Sequence, residues 1–229
     1  MIRDNATPHN ASEYDEEAFK TIPFYRQFHA ETIDLVRTIV PDVSTWLDAG
    51  CGTGYLAEQA LPLLPGVRFL LADPSPAMLD RAHKRLGAFT ADRVLFLDAM
   101  GTEDLLGHVQ ETPQVITAIQ SHHYGGEEMR KAATSVCFRL LQTGGMYVTF
   151  ENIRPDTSRG TQVGLDRWCC FQRNSGRSVE VVEEHRGRFG KNYFPITPAE
   201  HLQLLRATGF AVVEMFWLSY MQAGFYAVK

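Results

Sequence analysis

The sequence has 229 residues, of which 45% are apolar and 21% charged, and its 22 basic and 27 acidic side chains give a formal net charge of −5. This length predicts a single domain with a core of its own, and the composition is that of a water-soluble globular protein. The acidic balance disfavours a protein built mainly to coat nucleic acid, although it leaves room for a local basic patch.

The first residues and the cysteines indicate in which cellular compartment the protein is expected. The sequence begins with a polar, acidic stretch rather than a signal peptide, and no apolar run approaches the ~20 residues of a membrane span. The four cysteines lack the paired spacing of a zinc site, and Cys169 and Cys170 are expected to be small buried residues on a helix. We therefore expect a cytoplasmic protein with reduced thiols, no metal site and no membrane contact.

Residues 11–40 are predicted to form a helical cap ahead of the main sheet. The apolar positions expected to contact the core are Phe24, Phe28, Ile33 and Val36.

Short apolar runs then alternate with amphipathic stretches. The predicted strands are STWLDAG (44–50), VRFLLAD (67–73), RVLFLDA (93–99), QVITAIQ (114–120) and MYVTFEN (146–152), and predicted helices lie at 55–64, 76–86 and 127–141. Nearly continuous apolar runs suit parallel strands that are covered on both faces. The alternation predicts an α/β fold with a doubly wound, mostly parallel sheet.

Residues 153–195 interrupt the alternation and are expected to form a helical lid. They carry eight basic and five acidic side chains, whereas the remainder of the chain is acidic. Two interpretations stay open here: a solvated helical surface and a basic contact surface. With this lid and the cap, residues 1–229 are expected to form one domain.

The end of the sequence predicts one more helix and a hairpin. Thr197 is placed to cap the helix with Pro198 at its first position, Glu200 completes a capping box, and Gly209 is placed to end the helix. His201 is expected on the outer face of this helix. The stretch AVVEMFWLSYMQAGFYAVK then supplies two strands with almost no linker, so the seventh and last strand must run antiparallel to the rest.

A glycine-rich loop follows the first predicted strand. In LDAGCGTGYLAEQA (47–60), Gly50 and Gly52 allow a tight turn and let a ligand approach bare backbone, while Gly54 lets the next helix begin close by. About twenty residues further on, Asp73 ends the second strand, where a carboxylate can bind a ribose diol. The pattern predicts a cofactor that contains a nucleoside.

The spacing of the glycines in the loop restricts further which nucleoside-containing cofactor can be expected. Its glycines read G-x-G-x-G rather than the dinucleotide pattern G-x-G-x-x-G, and Asp48 precedes the first glycine by two positions. A carboxylate there would repel a pyrophosphate but attract an ammonium group. We therefore expect a nucleoside with a positively charged amino-acid arm.

The motifs WLDAGCGTG, LADPSPAMLDRA and LFLDAM resemble the class I S-adenosylmethionine (SAM) dependent methyltransferases, whose sheet also has a reversed seventh strand. The resemblance covers residues 44–152 and the C-terminal helix and hairpin. It implies SAM as the cofactor, with the glycine loop at the amino-acid arm, Asp73 at the ribose, Asp98 and Ala99 at the adenine edge, and Ser75 and Met78 on the flanks of the adenine. Asp98 could instead cap a strand end, and Met78 could simply pack in the core.

A looser resemblance at the two ends of the chain points to a subgroup that includes the carboxy-SAM synthase serving wobble-uridine modification in tRNA. The matching stretches are YDEEAFKTIPFYRQFHAETIDLV and EHLQLLRATGFAVVEMFWLSYMQAGFYAVK. The resemblance implies Tyr25 as a cofactor contact, and Arg188 lies in the stretch where that subgroup binds the extra carboxylate of its cofactor. The lid differs from that subgroup.

The stretch QSHHYGG at the end of the fourth strand holds the candidate catalytic residues. A histidine titrates near neutral pH and can remove a proton from an acceptor hydroxyl or amine, so His123 and then His122 are candidate general bases. Either histidine could instead only orient the backbone. Cys51 is expected to be a small side chain under the loop, since methyl transfer from SAM needs no covalent enzyme intermediate.

The sequence thus predicts a SAM-dependent methyltransferase that acts on a small molecule. Four alternatives stay open: methylation of RNA, carboxy-SAM synthase-like activity in a tRNA pathway, a non-catalytic SAM-binding module and a nicotinamide dehydrogenase. A homodimer and the identity of the acceptor atom are open as well.

Overall fold

A computed structural model describes residues 4–229, whose strands form one seven-stranded sheet in the order β3-β2-β1-β4-β5-β7-β6. The strands are β1 (Thr45–Ala49), β2 (Arg68–Ala72), β3 (Val94–Phe96), β4 (Val115–Ile119), β5 (Met146–Asn152), β6 (Val212–Ser219) and β7 (Gln222–Val228). Strands β1 to β5 pair in parallel, and β7 lies antiparallel between β5 and β6. The α/β class, the seven strands and the reversed last strand are therefore confirmed.

Residues 4–229 contain eight α-helices. They are α1 (Tyr14–Thr21), α2 (Tyr25–Ile39), α3 (Tyr55–Ala60), α4 (Pro76–Leu86), α5 (Glu127–Leu140), α6 (Ser158–Asn174), α7 (Val179–Gly187) and α8 (Pro198–Thr208). One buried cluster joins α2, α3 and α4 to the sheet, and a second joins α5 and α8 to it. The central strands are buried on both faces, which accounts for their continuous apolar sequences.

The predicted strands match the structure, with one informative difference. Strand β3 ends at Phe96 rather than at residue 99, so Asp98 and Ala99 lie beyond the strand and are exposed. Because β3 is the edge strand of the sheet, only β2 holds it in the sheet by hydrogen bonds.

The predicted cap consists of α1 and α2. Phe28, Ile33 and Val36 are buried as expected, and Phe28 stacks on Phe150 of β5 with ring centroids 4.7 Å apart. The prediction for Phe24 was wrong, because this residue is 47% exposed. It forms the junction between α1 and α2 with a left-handed φ of 58°, and its ring lies against Trp217 outside the core.

Polar contacts hold α1 against the glycine loop. The Thr53 hydroxyl donates to the Asp15 carboxylate at 2.6 Å, and Arg85 of α4 donates to the same carboxylate at 2.7 Å. The cap is thereby connected to the loop and to the helix that follows the second strand.

The predicted lid consists of α6 and α7 and packs against the cap. The Trp168 indole donates to the backbone oxygen of Thr21 at 2.6 Å, and Arg177 pairs with Glu17 at 3.3 Å. Cys169 is buried as predicted, but the prediction for Cys170 was wrong, because it lies on the exposed side of α6.

The last helix begins and ends as predicted. Thr197 and Glu200 form the capping box, and Gly209 ends α8 with a left-handed φ of 115°. His201 is not on the outer face: it is 3% exposed and its ring stacks on Phe225 at 4.8 Å. It occupies an inward position of α8 because the helix packs on β7.

Candidate cofactor-binding site

A cavity of about 400 Å³ lies beyond the carboxyl ends of β1, β2 and β4. Its wall is formed by the amino-terminal segment 4–7, Tyr14, Gly50, Gly52, residues 73–76, Met78, the loop 101–103, residues 119–122, Tyr124 and Met129. In doubly wound sheets this edge, where successive crossovers diverge, is the usual place for a ligand.

The three glycines of the loop all have positive φ, but they differ in what a side chain at each position would meet. A Cβ on Gly50 would lie 2.2 Å from the Ser121 hydroxyl, and one on Gly54 would lie 3.0 Å from Leu86 of α4. A Cβ on Gly52 would meet nothing within 4 Å and Gly52 lines the cavity. Gly50 and Gly54 thus accommodate protein atoms, whereas Gly52 leaves open space for a ligand.

Asp73 lines the cavity and is also hydrogen-bonded to the glycine loop. Its carboxylate accepts the Gly52 N–H and the Ser75 N–H, both at 2.9 Å, and it is 8% exposed. Burial raises the pKa of Asp73, while the two backbone hydrogen bonds oppose that shift. The carboxylate oxygens keep further lone pairs that could accept hydrogen bonds from a ribose diol.

Ser75 and Met78 start the helix beside the cavity. The Ser75 hydroxyl accepts the Met78 N–H at 3.2 Å as the N-cap of α4, with Pro76 at the first helical position. Met78 is buried and its side of the helix forms part of the cavity wall.

Asp48 is buried below the loop rather than in the cavity wall. Its carboxylate accepts the Thr117 hydroxyl at 2.7 Å, and Thr117 in turn accepts the Trp46 indole N–H at 3.0 Å. Desolvation raises the pKa of Asp48 to about 7, with a smaller contribution from the charge of Asp73. Asp48 can therefore exist in either protonation state near neutral pH.

Asp98 and Ala99 do not line the cavity, because β3 ends before them. The neighbouring segment Gly101, Thr102 and Glu103 lines it instead. These residues could contact the adenine base of a cofactor, the role that the family pattern assigns to Asp98 and Ala99.

Two tyrosines of the cap meet beside Asp73. Tyr25 is 7% exposed and is not part of the cavity wall, whereas Tyr14, which hydrogen-bonds to Tyr25, is. Desolvation raises the pKa of Tyr14 to about 12, and the nearby Asp73 charge adds to the shift. Of these two tyrosines, Tyr14 faces the cavity, whereas Tyr25, which the sequence resemblance indicated, does not.

His123 lies behind the cavity wall, fully buried. Its Nδ1 is 2.6 Å from the Glu151 carboxylate, and its Nε2 is 3.1 Å from the Asn152 amide. Glu151 also accepts the backbone N–H groups of His122 and His123. Burial alone would raise the pKa of Glu151, but the hydrogen bond and charge of His123 lower it to about 2.

His122 is the histidine that forms part of the wall. Its Nε2 lies 3.1 Å from the Thr102 hydroxyl, and its Nδ1 lies 3.2 Å from the Tyr147 hydroxyl. Desolvation lowers the pKa of His122, so the imidazole is neutral at pH 7.

The amino-terminal segment 4–7 closes one side of the cavity. The Ser75 hydroxyl donates to the Asp4 backbone oxygen at 2.7 Å, and the Arg188 guanidinium donates to the Ala6 backbone oxygen at 2.8 Å. This segment therefore connects the start of α4 to the end of the lid. No sequence motif marked it.

The ionisable side chains of the cavity wall are mainly acidic. Asp4, Asp73 and Glu103 line it, and no Lys or Arg among residues 4–229 does. In the same range, no group of three His, Cys, Asp or Glu side chains is arranged to hold a metal ion, and none of the helices is long and apolar enough to cross a bilayer.

The chain is similar to known methyltransferases in sequence and in fold. Residues 47–147 match a family model described as a methyltransferase domain, and this range holds the glycine loop, Asp73 and the strand ends that form the cavity. These residues form a methyltransferase domain, and the chain is a SAM-dependent methyltransferase with SAM as its cofactor.

Curated relatives of this methyltransferase include carboxy-S-adenosyl-L-methionine synthases from several bacteria. The one from Trichodesmium erythraeum is 22% identical over 202 residues, which cover 88% of this chain and 79% of the relative. The one from Nitratiruptor sp. is 25% identical over 206 residues, covering 89% and 84%.

Solved structures share the fold of this methyltransferase. A magnesium protoporphyrin IX methyltransferase from Synechocystis PCC 6803 with bound S-adenosylhomocysteine (SAH) has a TM-score of 0.67 at 15% identity, covering 95% of this chain and 93% of that one. An O-methyltransferase family protein from Burkholderia thailandensis has a TM-score of 0.62 at 16% identity, covering 89% of this chain. The methyltransferase spans only 56% of that second protein.

Proposed function

We propose that this enzyme transfers the methyl group of SAM to a small, uncharged or cationic acceptor that binds beside the cofactor in the 400 Å³ cavity. The observation that carries the proposal is the acidic wall, with Asp4, Asp73 and Glu103 and no Lys or Arg among residues 4–229. Such a wall attracts the sulfonium and ammonium groups of SAM and repels a phosphate-bearing acceptor.

The proposal assigns the cofactor contacts as follows. Gly52 leaves room for the amino-acid arm, Asp73 binds the ribose, and Ser75 and Met78 flank the adenine; Gly50 and Gly54 let the loop adopt this shape. Asp48 supplies negative charge below the arm. For the adenine edge, the cavity-lining segment 101–103 is a better candidate than Asp98 and Ala99. For the cofactor contact from the cap, Tyr14 is a better candidate than Tyr25, because Tyr14 lines the cavity.

In the reaction, a lone pair of the acceptor attacks the methyl carbon in line with the C–S bond, that bond breaks, and SAH leaves with the electron pair. The protein must orient the two molecules, exclude water and accept a proton when the acceptor carries one. His122 is the candidate base, acting directly or through the Thr102 hydroxyl, because it is neutral and lines the cavity. His123 is proposed to hold the strand end in place through Glu151.

The proposal is tested by incubating the enzyme with isotopically labelled SAM and a metabolite extract, followed by mass spectrometry. We expect the label in one or more small molecules, together with stoichiometric SAH. SAM that binds but is never consumed would instead favour a non-catalytic SAM-binding module. His122→Gln should lower kcat and leave KM nearly unchanged, whereas His123→Gln should mainly lower thermal stability.

Carboxy-SAM synthase-like activity is a second candidate. It is supported by the similarity to carboxy-SAM synthases and by Arg188, a buried cation 2.8 Å from the Ala6 backbone oxygen. Movement of segment 4–7 would free this guanidinium for a carboxylate. In the mass spectra, SAM that has gained a carboxyl group would establish this activity, and loss of that product in Arg188→Met would assign its site.

RNA is a weaker candidate for the acceptor. The lid is rich in Arg, but Arg154 pairs with Glu200, Arg177 with Glu17 and Arg186 with Asp166, so part of its charge is compensated. Binding to tRNA that falls steeply with salt would support this alternative. We further infer a cytoplasmic location from the free cysteines, and leave a homodimer open.

A further inference from the structure

Gln120 directly follows strand β4 and occupies a conformation that glutamine rarely adopts. Its φ is 54°, in the left-handed region, and its backbone N–H donates to the Phe150 oxygen at 2.6 Å. It is 7% exposed and lines the cavity. Non-glycine residues with this backbone cost free energy and are found often at ligand sites.

The side-chain amide of Gln120 has an unused donor. Its Nε2 is buried and has no hydrogen-bond partner among residues 4–229. Leaving a buried N–H group unpaired costs free energy, so such groups in a native protein usually have a ligand or a water as partner. Because Gln120 lines the cavity, the partner is expected to enter with the cavity's ligand.

The chemistry of SAM indicates which part of it this donor meets. The amino-acid arm carries an ammonium group, which suits the carboxylates of the site, and a carboxylate, which needs N–H or O–H donors. No Lys or Arg of residues 4–229 lines the cavity to supply them. The end of β4 touches the glycine loop, since Ser121, next to Gln120, lies 2.2 Å from the position of a Cβ on Gly50.

We infer that the Gln120 Nε2 group donates a hydrogen bond to the α-carboxylate of the methionine arm of SAM. The inference rests on the proposed placement of SAM in this cavity. In this role Gln120 is a specificity-determining residue: it distinguishes cofactors that carry the amino-acid arm from nucleosides that lack it.

The experiment compares two probes on three forms of the full chain by calorimetry. SAH carries the arm, whereas 5′-methylthioadenosine has the same nucleoside and no arm. The unaltered chain, Gln120→Leu and Gln120→Glu are titrated with both probes. Gln203→Leu and Gln203→Glu, on the exposed side of α8, are the matched controls, and thermal denaturation without ligand verifies that each variant is folded.

We expect Gln120→Leu to weaken SAH about tenfold or more, the effect of losing a hydrogen bond to a charged group. Gln120→Glu should weaken SAH further, because two carboxylates then face each other, and neither change should affect methylthioadenosine. Unchanged SAH binding in both variants, equal losses for the two probes, or tighter SAH binding in Gln120→Glu would each overturn the inference. If neither probe binds the unaltered chain, the proposed cofactor site itself fails.

Discussion

The backbone N–H of Gly52 donates a 2.9 Å hydrogen bond to the Asp73 carboxylate, and this contact links the glycine loop after β1 to the end of β2. The second Asp73 oxygen accepts the Ser75 N–H at the start of α4. One carboxylate thus fixes the relative positions of the loop and the helix that form the base of the cavity. The same carboxylate is the proposed ribose contact, so the position of the ligand depends on the backbone geometry of the loop.

Gly52→Val is expected to abolish SAM binding. The new side chain would enter the open space beside Gly52, and its φ of 55° is strained for a β-branched residue. Calorimetry with SAH measures the loss. Gly66→Val is the matched control, because Gly66 is exposed, has open space around it and lies outside the cavity. Undiminished affinity in folded Gly52→Val would refute the assignment of the loop.

Asp73→Asn is expected to weaken SAH by about 1–3 kcal/mol, the range for hydrogen bonds to a charged group. If Asp73 binds the ribose, 5′-methylthioadenosine must lose as much affinity as SAH, since both contain that ribose. A loss confined to SAH would mean that Asp73 acts on the amino-acid arm instead.

The affinity for SAM is expected to rise between about pH 6 and pH 7.5 because of Asp48. Its raised pKa of about 7 means that the carboxyl is largely protonated at the lower end of this range, whereas a cationic ligand favours the ionised form. Calorimetry in buffers of different ionisation enthalpy should detect release of a proton on binding. Asp48→Asn should remove both effects, and an unchanged pH profile in that variant would contradict this role.

The same shift predicts how stability without ligand depends on pH. Between the ordinary pKa of 3.8 and about 7, folded Asp48 holds a proton that the unfolded chain has released. Rising pH therefore lowers the free energy of unfolding over this range. Asp73 and Cys51 face Asp48 and can modify the slope, so the quantity to compare is the difference between the parent chain and Asp48→Asn.

Glu151→Gln is expected to destabilise the fold by about 1–3 kcal/mol, because a buried hydrogen-bond donor is left without its acceptor. The carboxylate lies 2.6 Å from His123 Nδ1 and accepts the Thr149 hydroxyl and two backbone N–H groups. Its pKa is lowered from 4.5 to about 2, so its contribution is complete above pH 4.5 and is lost as the pH falls toward 2. Denaturant titrations at pH 7 and pH 3 measure the loss of unfolding free energy in Glu151→Gln. We expect a smaller loss at pH 3 than at pH 7, and equal losses at the two pH values would contradict this role of Glu151.

The fold could be predicted from the sequence because its signals are local. Continuous apolar runs identify the parallel strands, the absence of a linker after Ser219 requires a hairpin, and Thr197 with Glu200 begins the last helix. Phe24 and His201 were assigned wrongly because their burial depends on how distant elements pack. Phe24 projects from a tight junction toward Trp217, and His201 faces β7.

The candidate site was only partly predictable for a similar reason. Gly52 and Asp73 stand in a spaced motif, but Tyr14, Gln120 and segment 4–7 reach the cavity through tertiary packing that no motif records. The early end of β3 left Asp98 outside the cavity wall, since strand ends at a sheet edge are weakly determined by sequence. His122 and His123 are adjacent in sequence, and only the structure separates the one that lines the cavity from the one paired with Glu151.

A crystal structure of the enzyme with SAH would show directly where the cofactor binds. We expect SAH in the cavity beside Gly52, with both ribose hydroxyls at the Asp73 carboxylate and the carboxylate of the arm within hydrogen-bond distance of Gln120 Nε2. Density for SAH at another place, or a ribose away from Asp73, would contradict the proposed binding site.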